Sequence, residues 1–175
     1  MLTDRAGKRA YVFNEQSNTI TVIDIANRAA IVTLSTDIGP MQGQFNRNGD
    51  RLYVIFARGP YLAIIDPASL SIVRKIFVGP GASFIKVDNS TDMLYMSRRQ
   101  ETKVEMYDPF SLLPSAFIDA MQGIVYMTID GEENSLYLMS ADTRRLMSIN
   151  LISKKKSSVI DAGENPTWVT MMGER

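Results

Sequence analysis

The chain has 175 residues, 45% of them hydrophobic and 22% charged, with 19 basic and 19 acidic side chains. This is the composition of a globular domain able to bury a core, and the zero balance offers no broad field of one sign to attract nucleic acid or an anionic membrane. There is no cysteine and no histidine, which excludes disulfides, thiolate zinc sites and a thiol nucleophile, and removes the commonest general base, metal ligand and axial haem ligand.

No apolar run approaches the roughly 18 residues of a membrane span. Met1 to Arg5 lack the apolar stretch of a signal peptide, which fits a cytoplasmic protein or one whose leader lies before this numbering. The first element is a strand over Arg9 to Asn14, followed by the polar turn Glu15 to Asn18 and a second strand running to Asp24. Residues 41 to 78 show a full unit. Met41 to Asn46 is strand-like, Arg47-Asn48-Gly49-Asp50 is a turn, and Arg51 to Phe56 is rich in β-branched and aromatic residues. Arg58-Gly59-Pro60 breaks that strand, Tyr61 to Ile65 forms the next, Asp66-Pro67 turns the chain, and Ser71 to Val78 closes the unit before Gly79-Pro80-Gly81.

This unit recurs. Tyr11, Tyr53, Tyr95 and Tyr137 are spaced by 42, as are Asp24, Asp66, Asp108 and Asn150. Gly39, Gly81, Gly123 and Asn165 form a third series, and Asp4, Asn46, Asp88 and Asp130 a fourth. Apolar positions follow the same period: Ile20, Leu62, Val104 and Leu146, then Leu34, Ile76, Ile118 and Ile160. Several series in one register, without an insertion, mark a repeat architecture. Helical periodicity is absent and strand formers dominate, so helical solenoids are excluded. Four short strands joined by tight turns, repeated at this period, predict an all-β chain, a β-propeller with four 42-residue, four-stranded blades. The whole of 1–175 reads as a single domain, with repeats at 4–45, 46–87, 88–129 and 130–171. The chain opens on a second strand and closes on a first strand at Thr167 to Met172, which is the offset of a ring-closing strand. A part of a larger propeller, a four-bladed ring and half of an eight-bladed ring of two chains all fit.

Residues 7 to 34, GKRAYVFNEQSNTITVIDIANRAAIVTL, resemble the YVTN-type β-propeller repeat through Tyr11-Val12, Asn18, Thr21-Val22-Ile23-Asp24 and the closing Gly39. The second unit is similar at Gly49, Leu52-Tyr53-Val54 and Ile64-Ile65-Asp66; the third and fourth retain Leu94-Tyr95, Asp108-Pro109, Leu136-Tyr137 and Asn150. The resemblance covers nearly the whole chain. It implies a bacterial or archaeal protein of the periplasm or cell surface. Related propellers carry lactonase, nitrous oxide reductase and haem d1 functions, whose metal and haem sites use histidines that this chain lacks. Family propellers usually have seven blades, whereas four repeats are present here.

Two loop sets make the functional face of such a fold: those between second and third strands, and those leading into the next unit. They carry Arg58, Arg98, Arg99 and Arg144, which would hold an anionic group at the channel mouth. Glu15, Glu101, Asp142 and Glu164 are their carboxylate partners, and the plainer reading is a set of solvated ion pairs. Asp130 to Asn134 has calcium-ligand residue types without the spacing of a calcium loop and reads as a hairpin turn. Phe84, Tyr126 and Trp168, one per unit, are expected to fill the wedge between neighbouring sheets. No catalytic residue, metal site or cofactor is assigned. The expected function is a non-catalytic scaffold or protein-interaction module, with a protein partner or further blades, a homo-oligomer as one form, and no nucleic acid or direct membrane insertion. The alternative is a small-molecule-binding or hydrolytic propeller using the arginines at the mouth.

Overall fold

The computed structural model describes residues 1–170, and among them the chain forms sixteen β-strands and no helix. It divides into two compact units, Met1–Ala82 and Ser83–Arg175. The first unit holds two four-stranded sheets: β1 (Leu2–Thr3), β2 (Arg9–Asn14), β3 (Thr19–Asp24) and β4 (Ala29–Ser35), then β5 (Pro40–Phe45), β6 (Leu52–Phe56), β7 (Tyr61–Asp66) and β8 (Ser71–Phe77). The second holds β9 (Ala82–Val87), β10 (Leu94–Arg98), β11 (Lys103–Tyr107) and β12 (Pro114–Asp119), then β13 (Ile124–Asp130), β14 (Ser135–Ser140), β15 (Arg145–Asn150) and β16 (Lys155–Asp161). Every sheet is antiparallel, and its strands lie side by side in chain order, because each connection is too short for anything but a hairpin. The all-β, four-sheet expectation is met.

The repeat is visible in backbone detail. A register shift recurs in the third-to-fourth strand pairing of every sheet, at Val22/Ile23, Ile64/Ile65, Met106/Tyr107 and Ser148/Ile149. These four positions are again 42 residues apart. A bulge here adds twist and bends the fourth strand, whose outer edge is unpaired within the sheet. The tight turns before the fourth strands also share a conformation: Arg28, Leu70, Leu112 and Lys154 all have φ between 51° and 57°.

Burial follows the strand order. The second strands β6 and β10 are buried along their whole length, while the fourth strands β4, β8, β12 and β16 are largely exposed. In the first unit, Tyr11, Ile20 and Val22 from one sheet form a core with Leu52, Val54, Phe56, Ala63 and Ile65 of the other. In the second, Tyr95, Val104, Met106 and Ile118 join Met127, Leu136, Leu138 and Ile149. Three of the four repeated tyrosines are fully buried and Tyr137 is half-buried. Burial of Tyr95, with the charge of Asp88 adding to it, pushes the phenol up to about 12, which removes it as a proton donor or acceptor near neutrality.

Two differences from the sequence reading concern the chain's ends, at β1 and at Trp168. Leu2 and Thr3 pair with Tyr11 and Ala10, so the first sheet has its own first strand, β1. Two residues carry no alternation from which a strand can be read. The repeat frames starting at Asp4, Asn46, Asp88 and Asp130 begin at the junction between first and second strands, so each frame takes three strands of one sheet and the first of the next. Of the closing strand expected at Thr167 to Met172, residues 167–170 make no strand pairing and Trp168 is 64% exposed; Met171 and Met172 lie outside the described residues. Trp168 therefore does not fill a wedge. Phe84 and Tyr126 do, with ring centroids 5.4 Å apart across the two sheets of the second unit.

In the first unit the sheets meet at a close approach. A Cβ on Gly43 of β5 would lie 2.6 Å from Phe13 Cζ and 3.0 Å from Leu52 Cδ1. The Phe13 ring occupies the space that a side chain at position 43 would need. Gly43→Ala is expected to destabilise by about 1–3 kcal/mol through overpacking, and adding Phe13→Leu to recover part of that loss, both read by urea denaturation. Equal stability of Gly43→Ala and wild type, or strictly additive losses in the double variant, would refute this packing account.

Candidate functional site

At one end of the strands within each unit, the glycine that leads into the second sheet bonds through its C=O to that sheet's own hairpin and through its N–H to a loop of the first sheet. In the first unit the Ala57 N–H donates to Gly39 C=O at 2.7 Å, and the Gly39 N–H donates to Asn18 Oδ1 at 2.9 Å. In the second unit, the Ala141 N–H donates to Gly123 C=O at 3.3 Å and the Gly123 N–H to Arg99 C=O at 3.0 Å. The glycine position has a positive φ throughout: 76° at Gly39, 86° at Gly81, 67° at Gly123 and 52° at Asn165. Glycine takes that conformation freely and asparagine is the side chain that tolerates it best, which explains why this series ends in Asn. Asp142 packs against Gly123 where a Cβ would stand. The glycines of this loop end serve its backbone conformation and hydrogen bonding.

The acidic series is used in turns. Asp24 Oδ1 accepts the Asn27 N–H, Asp66 Oδ1 the Ala68 N–H, and Asp108 Oδ1 those of Phe110 and Ser111. Asn150 Oδ1 accepts the N–H groups of Ile152 and Ser153 in the same way. Backbone hydrogen bonds hold the carboxyls of Asp24, Asp66 and Asp108 below their ordinary range. The second acidic series works before the second strands: Asp4 Oδ1 accepts the Lys8 N–H, Asn46 Oδ1 the Arg51 N–H and Asp88 Oδ1 the Ser90 N–H. Asp130 Oδ1 accepts the Glu132 and Glu133 N–H groups, so residues 130–134 form a capped hairpin turn. Among the described residues, no three His, Cys, Asp or Glu side chains gather as metal ligands.

The sequence-derived arginines fall into different environments. Arg58 and Arg99 are exposed, with no ion pair among the described residues. Arg144 pairs with Glu164 at 3.4 Å, both largely in solvent. Arg98 is not a loop residue: it ends β10, is 7% exposed, and turns into its own sheet. Its Nε donates to Glu105 Oε1 at 3.2 Å and its Nη2 to Glu105 Oε2 at 3.0 Å, while Glu101 stands 3.8 Å away. The Tyr107 hydroxyl donates to Glu105 Oε2 at 2.7 Å. Burial works against the Arg98 charge, but the bond to Glu105 and its negative charge outweigh it and raise the guanidinium pKa. Burial, reinforced by the bond to Glu105, also raises that of Tyr107. This Arg98–Glu105–Tyr107 network was missed in the sequence because Glu105 lies inside a strand; its signal is the alternation of Glu105 and Tyr107 on one face of β11. Of the expected carboxylate partners, Glu101 and Glu164 meet arginines, while Glu15 lies beside Gly39 and Asp142 beside Gly123.

The apolar surface gathers elsewhere. In the first unit β8 presents Val73 and Phe77, the latter 69% exposed and packed edge-on against Tyr61. In the second, Phe110 and Leu113 stand in solvent on the turn before β12, and Phe117 on β12 is 63% exposed beneath the Lys103 ammonium, 4.4 Å from the ring centre.

Four four-stranded antiparallel meanders at a fixed 42-residue period define the class: this is a β-propeller fold. Solved structures agree. Hydrazine synthase from Kuenenia stuttgartiensis superposes with a TM-score of 0.81 at 16% identity, covering 93% of this chain and 49% of that one. The dihydro-heme d1 dehydrogenase NirN gives 0.74 at 14% identity, with 91% and 36% covered. A 6-phosphogluconolactonase-like protein from Bacteroides uniformis gives 0.76 at 13%, with 95% and 55% covered. The chain thus spans about half or less of the first two proteins and 55% of the third. No protein-family model matches it, and no curated protein does.

Two measurements probe these charges. Glu105→Leu strands a buried guanidinium and is expected to destabilise by about 2–3 kcal/mol, the figure reduced because Glu105 is partly solvated; adding Arg98→Met should restore part of it, and a double variant no better than Glu105→Leu would count against the pairing. The depressed carboxyls of Asp24, Asp66 and Asp108 contribute stability that is full above their unfolded pKa near 3.8 and is lost as pH falls through the lower folded values. Changing all three to Asn keeps the turn bonds, as Asn150 does, and should flatten the fall in unfolding midpoint below that pH. An unchanged acid limb would exclude these residues as its source.

Proposed function

We propose that the chain is a YVTN-type propeller segment acting as a non-catalytic protein-interaction module of an envelope or surface assembly. The observation that carries this is the exposed apolar side of the fourth strands. Phe77 and Val73 on β8, and Phe117 with Leu113 and Phe110 around β12, stand on strands whose outer edge has no partner within the sheet. An edge with free backbone groups and apolar side chains is what a partner strand adds to. The chemistry elsewhere supports the same reading. Both acidic series are spent on turn N–H groups, Arg98 is neutralised by Glu105, and the chain has no histidine or cysteine. The repeat residues around Tyr11-Val12 and Val22-Ile23-Asp24 support the family.

The anion-binding reading rests on the guanidiniums of Arg58 and Arg99, which are exposed and without an ion pair among the described residues. It is ranked second because Arg98 and Arg144 are already matched by carboxylates.

The test compares wild type with Val73→Lys/Phe77→Lys and Leu113→Lys/Phe117→Lys, all exposed positions. Wild-type protein should run in a complex larger than its 19.6 kDa mass when isolated from its own cells, and at least one lysine pair should release it while circular dichroism stays unchanged. Monomeric wild type with no stoichiometric partner, or turnover of lactones or glycosides that the lysine pairs leave intact, would defeat the proposal.

A further inference from the structure

The second unit contains a cleft of about 370 Å³ lined by Met121, Thr143, Arg145, Met147, Lys156 and Val159. Its floor is apolar. Met121 and Met147 are buried, Val159 is half-buried, and Met147 and Val159 face each other across β15 and β16. The hydroxyl of Thr143, an exposed residue, donates to Met121 Sδ at 3.6 Å. The two charged lining residues are both cations, and no acid lines the cleft.

The register sets where the cations stand. Arg145 begins β15, two residues before Met147, and Lys156 opposes Ile149, two residues beyond it. Facing residues of an antiparallel pair share a face, so the two cations flank the Met147–Val159 floor at opposite ends. Neither has an ion pair among the described residues. Asp161 faces Arg145 across the strand pair and shares its face, its Oδ1 accepting the Gly163 N–H, and Glu164 pairs with Arg144. The volume lies within the range of small-molecule sites, and two cations without an ion pair among the described residues, over a thioether and aliphatic floor, are complementary to one kind of ligand.

We infer that this cleft binds an amphipathic organic anion. Its apolar body covers Met121, Met147 and Val159, and its carboxylate or sulfonate is held by the Arg145 guanidinium, with Lys156 adding positive field from the far end. Methionine suits the floor, because an unbranched, polarizable side chain adapts to aliphatic and aromatic bodies alike. The guanidinium fork matches a carboxylate or sulfonate with two parallel hydrogen bonds. Although β16 is itself a fourth strand, this cleft is separate from the β8 and β12 surfaces of the proposed function, and either can fail without the other.

The probe is 8-anilinonaphthalene-1-sulfonate, titrated into the full chain by fluorescence, with decanoate as competitor and N-phenyl-1-naphthylamine as the analogue lacking the sulfonate. Saturable one-to-one enhancement displaced by decanoate is expected. Arg145→Gln/Lys156→Gln should weaken it about tenfold or more, as loss of a charge-assisted hydrogen bond does, and the uncharged analogue should bind wild type at least as weakly. Both cations are exposed, so the double variant should keep the wild-type unfolding midpoint. Absence of saturable binding, or equal affinity of the double variant, overturns the inference; so does equal binding of the uncharged analogue. A Phe117→Lys variant that abolishes the signal while the glutamine pair retains it would assign the probe to the β12 surface and also overturn it.

Discussion

A four-stranded sheet that is apolar on both faces cannot bury either by itself, and this constraint governs the chain. The central strands β6 and β10 are buried along their whole length, which a lone meander in water cannot provide. In each unit the remedy is a second copy of the same sheet. Tyr11, Ile20 and Val22 are covered by Leu52, Val54 and Phe56 in one unit, and Val104, Met106 and Ile118 by Met127, Leu136 and Leu138 in the other. The 42-residue period is thus the length at which the chain produces the next sheet needed to cover the last.

The polar side chains that the repeat retains serve this arrangement. A sheet made of short strands depends on its turns, and turns expose N–H groups that need acceptors. Asp24, Asp66, Asp108 and Asn150 meet that need in one hairpin of every sheet, and Asp4, Asn46, Asp88 and Asp130 in another. Their recurrence, which resembles a catalytic pattern when seen in isolation, is the recurrence of a backbone requirement. Function has to be sought among residues that break the repeat. Arg145, Lys156, Met121, Phe117 and Phe77 carry chemistry that the repeat does not need, and they lie on or beside the third and fourth strands.

Size exchange between sheets shows how the repeat tolerates low identity. Gly43 leaves room for the Phe13 ring in the first unit. In the second unit the repeat-equivalent positions are Met127 and Ser97, one large where glycine stood and the other small where phenylalanine stood, both buried. The summed side-chain size of the two positions is kept while their identity is not, which suits close-packed interiors.

The sequence alone determined the strand content, the period, the meander and the turn positions, because these rest on local signals: alternation, Asx-type turns, and glycine or asparagine where φ must be positive. It identified the structural tyrosines and read residues 130–134 as a turn for the same reason. What it missed depends on distance through space. Leu2–Thr3 became a strand only because β2 was there to pair with it. Arg98 looked like a loop cation until β11 brought Glu105 within 3.0 Å of it, and Arg145 and Lys156, eleven residues apart in the chain, line one cleft only because β15 and β16 run antiparallel. Hydrogen bonding between near neighbours is written in the chain; which charges are neutralised and which stay unmatched is decided when strands from different hairpins are set side by side.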